Sequence, residues 1–173
     1  VPFVIGGIEN MLWGLYEQIN RQTEHQAEII KLPSRELSFW DLIEDYYQFY
    51  QLDLNHFDAV IVSKYPAWMV QHDHKIFYVA HRLRGLYDTY HLMRQPQEVP
   101  RGNRQIDKIL DYMNAHPYPG QLNTFFSMLH DLKQNAGEEE AEFFEFPGPL
   151  IRKIVHYMDD FSFQEHVPGK FYS

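Results

Sequence analysis

From Gly7 to Asn20 the apolar residues Ile8, Met11, Leu12, Leu15, Tyr16 and Ile19 recur at the i, i+3, i+4, i+7 spacing that lines one face of a helix. Ala27 to Leu32 is a short β-prone run stopped by Pro33. Ser38-Phe-Trp-Asp41 has the S-x-x-D form that starts a helix, and Phe39, Leu42, Ile43, Tyr46, Tyr47 and Tyr50 continue its apolar face. Two runs have no polar alternation, Phe57 to Ser63 and Lys75 to Ala80, and these predict buried strands. Strands apolar on both sides are covered on both faces, and they alternate here with helices. The expected fold class is therefore α/β, with a parallel sheet flanked by helices.

After His81 the pattern becomes helical. Arg84 to Met93 predicts a helix, and Gln95 to Asn103, with Pro96 and Pro100, predicts a polar connector. Ile106, Ile109, Leu110 and Met113 mark one further helix, and Leu122, Phe125, Phe126, Leu129 and Leu132 mark another. Asn135 to Glu142 reads as an acidic, glycine-broken loop in which Glu138, Glu139 and Glu140 are solvated. Pro149 opens a last helix carrying Ile151, Ile154, Val155 and Met158. Residues 94–148 thus read as a helical insertion in a single alternating domain that spans 1–173. Val1 to Ile5 reads as a short first strand, and Lys170 to Ser173 as the beginning of another.

Composition narrows the function. The 173 residues carry 15 Lys and Arg against 24 Asp and Glu, a formal charge of −9, which argues against a nucleic-acid partner. There is no cysteine, so disulfides, thiolate-held zinc and thiol catalysis are excluded. No apolar run reaches the ~18 residues of a membrane span, and no charged start with an apolar core marks a secretory signal. The 13 Phe, 12 Tyr and 3 Trp are incompatible with a disordered acidic tail. A folded, soluble, cytoplasmic domain is expected, with membrane contact at most peripheral.

In open parallel sheets ligands bind at the carboxyl ends of the strands, and three segments fall there. Gly6-Gly7 opens the first helix with Glu9 in its first turn. Such a turn receives an anion on free N–H groups, or is a plain tight turn whose Glu9 complements the helix dipole. Ser63-Lys64-Tyr65-Pro66-Ala67-Trp68 follows the first long strand. There Lys64 would meet a phosphate and Tyr65 or Trp68 would stack on a sugar, or Trp68 and Met69 pack in the core. His81-Arg82-Leu83-Arg84 follows the second. Paired guanidinium groups suit phosphate or carboxylate, unless Arg82 and Arg84 pair with the chain's own carboxylates and His81 caps the next element. His72 and His74, with His56 or His91, have the residue types of a metal site, but they precede their strand and read as a solvated turn. Phe143, Phe144 and Phe146 read as core, with a membrane or partner contact as the alternative.

The segments V-P-x-x-I-G-G-I-E, D-A-V-I-V-S-K-Y-P-A-W-M and F-Y-V-A-H-R-L-R-G-L-Y-D-T-Y resemble, in this order, the amino-terminal half of GT-B glycosyltransferases of glycosyltransferase family 4. The likeness runs from Val1 to about Tyr90 and resumes at Ile151–Ser173. It implies one half of a GT-B fold: a Rossmann-like acceptor domain whose partner, a second Rossmann-like domain holding the nucleotide-sugar donor, lies outside these residues. It also makes Val1 to Ile5 the loop after a strand rather than a strand. By this resemblance Gly6 and Gly7 face the acceptor and the donor diphosphate, and Glu9 lies on the helix they open; Lys64 and Tyr65 join them as candidate binding residues from their place after the first long strand. His81 sits beside the anomeric centre as the catalytic residue, and Arg82 or Arg84 neutralises phosphate. Transfer would proceed with retention, without a metal or other cofactor, to a glycan or lipid-linked acceptor, and this half alone would be inactive. The acidic charge departs from the basic first domain common among members that act on membrane lipids. Two rivals stay open: a non-catalytic glycan- or protein-binding module, and another α/β nucleotide-binding enzyme using His72, His74 and a metal.

Overall fold

The computed structural model describes residues 6–35 and 37–164, and for Val79, Ala80, His81 and Gln164 the backbone alone. The expectations placed on Val1 to Ile5 and on Lys170 to Ser173 lie outside the described residues, and so does the His81 imidazole. In chain order the elements are α1 (Gly7–Gln22), α2 (Phe39–Gln51), β1 (Val60–Lys64), a 3-10 turn (Ala67–Met69), β2 (Lys75–His81), a second 3-10 turn (Tyr90–Met93), α3 (Arg104–Ala115), α4 (Asn123–Asn135), a 3-10 segment (Glu138–Phe144) and α5 (Pro149–Gln164). The fold is mixed α/β, with a two-stranded parallel sheet among the described residues.

Helices α2 and α3 start where a side chain satisfies their first N–H groups. Ser38 Oγ accepts from the Asp41 N–H at 3.1 Å and caps α2 as its sequence predicts. Asn103 Oδ1 accepts from the N–H groups of Gln105 and Ile106 and caps α3. The apolar faces of α2, α3, α4 and α5 then converge on one core, joined by Val62, Trp68, Met69 and Leu86 from the sheet side. Burying each large aliphatic or aromatic side chain contributes roughly 1.5–3 kcal/mol before the entropy of ordering it is charged. The helices at 104–135 belong to the same buried cluster as α2 and α5, so they share the sheet's core rather than forming a separate one.

The strands differ from expectation in a way that matters for function. They pair in parallel, Val60 with Lys75, Ile61 with Ile76, Val62 with Phe77, and the register shifts before Lys64 meets His81. Val62 points into this core and Val60 into a small separate cluster with Leu54 and Val70, but Ile61 is 41%, Ile76 52% and Tyr78 55% exposed. The expectation of cover on both faces is therefore corrected: one face packs on the helices and the other is open among the described residues. α1 does not close the gap, since none of its residues is buried and Trp13 and Leu15 are exposed.

Three further expectations are corrected. Ala27 to Leu32 is not a strand, because the Asn20 side chain takes both backbone groups of Ala27: its Oδ1 accepts from the Ala27 N–H at 2.9 Å and its Nδ2 donates to the Ala27 carbonyl at 3.1 Å. That carboxamide ties the run to α1 in place of a strand neighbour. Arg84 to Met93 is not a continuous helix. Bonds from the Leu86 and Tyr87 N–H groups to the Leu83 and Arg84 carbonyls wind it into tight turns, and Arg94, at φ 54°, ends the 3-10 turn in a left-handed conformation. Glu140 is buried rather than solvated, donating nothing and accepting from Asn103 Nδ2 at 2.8 Å and the Gly137 N–H at 2.8 Å. Phe143 and Phe144 pack against the core as expected, while Phe146 is exposed.

Candidate functional site

At the amino end of α1, Gly6 is extended and its N–H donates to Glu9 Oε2 at 3.1 Å. The Glu9 carboxyl is held below its ordinary range, chiefly by its own backbone N–H. Desolvation opposes this, and the Gly6 N–H and then the Lys64 and Lys31 charges add smaller lowering effects. The helix start is thus occupied by the chain's own anion, and Lys64 lies within electrostatic reach of it. A Cβ on Gly6 would come 2.8 Å from Glu9 Oε2, whereas one on Gly7 meets open space. Gly7→Val is accordingly expected to leave unfolding free energy within about 1 kcal/mol, because the first turn has room and Val is no worse a helix former than Gly. Ligand affinity should fall first; a titration showing wild-type affinity would remove the glycine turn from the site.

Lys64 ends β1, with its Nζ 5.2 Å from the Tyr65 ring centroid. Its backbone partner is His81, which ends β2, and Arg82 follows directly. The Arg82 guanidinium lies over the Tyr87 and Phe163 rings, 4.8 and 4.7 Å from their centroids. Lys64, the His81 backbone and Arg82 therefore stand together at the carboxyl end of the parallel pair, and Glu9, bonded to the Gly6 N–H, feels the Lys64 charge. The Arg84 side chain is exposed, with its Nε 3.9 Å from Asp88 Oδ2.

Beneath Arg82 lies a group that reading the sequence missed. Asp159 of α5 is completely buried. Its Oδ1 accepts from Tyr46 Oη and Trp68 Nε1, each at 2.8 Å, and its Oδ2 accepts from Tyr87 Oη at 2.6 Å. Burial pushes the carboxyl up to about 6, against the three hydrogen bonds and the Arg82 charge, which favour the ionised form. Desolvation first, and then the Asp159 charge, pushes the Tyr46 and Tyr87 hydroxyls above the ordinary phenol range, so both remain donors. The signal was present in the α5 pattern: Asp159 continues Ile151 and Val155 at i+4 steps, a carboxylate on the apolar stripe, where only a set of donors makes it tolerable. Trp68 is in the core, as its packing alternative predicts, with its indole N–H used by Asp159 rather than by a sugar.

His72 and His74 lie at the opposite, amino end of the strands, in a cleft of about 300 Å³ with Asn55, Phe57, Asp58 and Asp73. His72 is buried rather than solvated, with Nε2 3.0 Å from the Phe57 carbonyl and Nδ1 accepting from the His74 N–H at 3.0 Å. With Nδ1 an acceptor, Nε2 carries the proton, so neither nitrogen offers a lone pair to a metal. Among the described residues no group of three or more metal-ligating side chains occurs, and no helix is long and apolar enough to cross a membrane.

The chain matches no family model, no curated protein and no solved structure.

Proposed function

We propose that the chain is the acceptor-side domain of a retaining, nucleotide-sugar-dependent glycosyltransferase of the GT-B fold, similar to glycosyltransferase family 4. One observation carries the reading most directly: Lys64, the end of β2 at His81 and Arg82 stand together at the carboxyl end of two parallel strands, with the α1 start and Glu9 in the field of Lys64. This is the edge at which open α/β sheets receive ligands, and the second and third motifs of the resemblance pass through it at Lys64 and His81. In this reading the cationic groups meet the diphosphate of the sugar donor. Glu9 yields helix N–H groups to an incoming anion, and His81 stabilises charge at the anomeric centre. The departing diphosphate takes the acceptor proton, so configuration is retained without a metal. The acceptor is a glycan or a lipid-linked glycan, and a second, donor-binding domain completes the cleft. Arg84 is a further candidate, exposed with its Nε 3.9 Å from Asp88 Oδ2.

The test is an assay of the parent polypeptide against a panel of nucleotide sugars and glycan acceptors. Release of nucleoside diphosphate with a product of unchanged anomeric configuration by NMR is the expected result. Inversion, or no turnover with any donor in a polypeptide that has a second domain, would refute the reading. A non-catalytic protein-binding module is the second reading. It is favoured by the open sheet face at Ile61, Ile76 and Tyr78. A parent polypeptide without a donor domain decides for it. The enzyme that would use His72, His74 and a metal loses support, because both His72 nitrogens are committed.

A further inference from the structure

The Asp159 carboxyl meets its three donors unevenly: Oδ1 accepts from Tyr46 Oη and Trp68 Nε1, Oδ2 from Tyr87 Oη alone. All three partners donate, which suits the ionised group, yet complete burial on α5 favours the neutral one. The titratable and charged groups around this network are Tyr46 from α2, Tyr65 after β1, Arg82 and Tyr87 from the turn after β2, and His156 and Asp160 on α5 itself. Desolvation outweighs the hydrogen bonds and the Arg82 charge, so the carboxyl takes up a proton as pH falls through about 6.

The partners differ in what that proton would do to them. The Trp68 indole N–H donates and cannot accept, whereas the two tyrosine hydroxyls can do either. A proton on Oδ1 would turn the Tyr46 hydroxyl around, and Tyr46 is completely buried, so its own proton would lose its acceptor. A proton on Oδ2 turns only Tyr87, which is partly exposed. Oδ1 then remains the carbonyl oxygen and keeps both of its donors. We propose that Asp159 and Tyr87 form a proton-operated switch, in which one proton taken from solvent onto Oδ2 reverses their hydrogen bond and frees the Tyr87 O–H to donate away from Asp159. No contact breaks: Oδ2–H donates to Tyr87 Oη where Tyr87 Oη had donated to Oδ2. The buried charge disappears, and the turn after β2 gains a donor. The switch is independent of which ligand the rim receives.

Infrared difference spectra between pH 7 and pH 5 read the proton directly. The wild-type chain should gain a protonated-carboxyl C=O band that Asp159→Asn lacks. A C=O bonded to two donors absorbs at lower frequency than one bonded to fewer. Tyr46→Phe, which removes one of them, should therefore move the band up, while Tyr87→Phe should leave it in place. A second measurement needs no tyrosine variant. With tyrosine Cζ labelled by carbon-13, the Tyr87 resonance should shift over the same range by more than that of Tyr46. His156, stacked on Tyr87, also gains charge as pH falls, and its effect persists in Asp159→Asn, so that spectrum is subtracted. Three results would each overturn the switch: no Asp159 band at pH 5, a band that moves with Tyr87→Phe and not with Tyr46→Phe, or a corrected Tyr46 shift that exceeds that of Tyr87.

Discussion

Asp159→Ala is expected to cost at least about 3 kcal/mol of stability, because it strands three buried donors, each of which costs about 1–3 kcal/mol when unpaired. Tyr46, Trp68 and Tyr87 come from α2, the turn after β1 and the turn after β2, so the loss would loosen every element that meets α5 at this point. Asp159→Asn separates the charge from the hydrogen bonds. The folded carboxyl titrates at about 6 against 3.8 for the ordinary group, so the native state binds the proton more tightly than the unfolded chain. The contribution of this group is therefore largest below pH 4, falls as pH rises from 4 to 6, and is flat above; the span is on the order of 3 kcal/mol. Relative to wild type, Asp159→Asn should gain stability over that window and keep the gain at pH 7. Urea unfolding of both proteins from pH 4 to 7 measures the difference, in which other carboxylates cancel. A constant difference across the window would show that Asp159 is not a buried, proton-linked group.

His81→Ala in the parent polypeptide should lower turnover at least about tenfold, equivalent to about 1.4 kcal/mol of transition-state stabilisation. The argument is positional. His81 is the last residue of β2, opposite Lys64 and next to Arg82, at the carboxyl end of the strands, where open α/β sheets receive ligands. If its role is catalytic, its removal should leave the thermal midpoint nearly unchanged while turnover falls. A variant with full turnover and a lowered midpoint would make His81 a structural cap and move the chemistry elsewhere.

The helices were legible because their stripes are long. Ile106, Ile109, Leu110 and Met113, or Leu122 through Leu132, repeat a period that packing then uses unchanged. The strands were legible as segments but not as surfaces. Ile61 and Tyr78 are apolar without being buried, and an apolar run does not say which neighbour covers it. Ala27 to Leu32 failed for a comparable reason: one distant carboxamide, Asn20, outweighs a weak strand propensity. Of the proposed rim, Lys64 and Arg82 were readable from their place just after a strand, and Arg84 was grouped with them by adjacency alone.

What the chain determines locally is where periodicity and capping groups act within a few residues: Ser38 before α2, Pro149 at α5, and two parallel-prone strands whose ends carry Lys64 and His81. What tertiary structure alone decided is which polar side chains meet inside. Asp159 finds Tyr46, Trp68 and Tyr87 across 113, 91 and 72 residues of chain. No window of sequence contains both a buried carboxylate and the donors that make its burial possible, so only the folded arrangement of α2, the two turns and α5 reveals it.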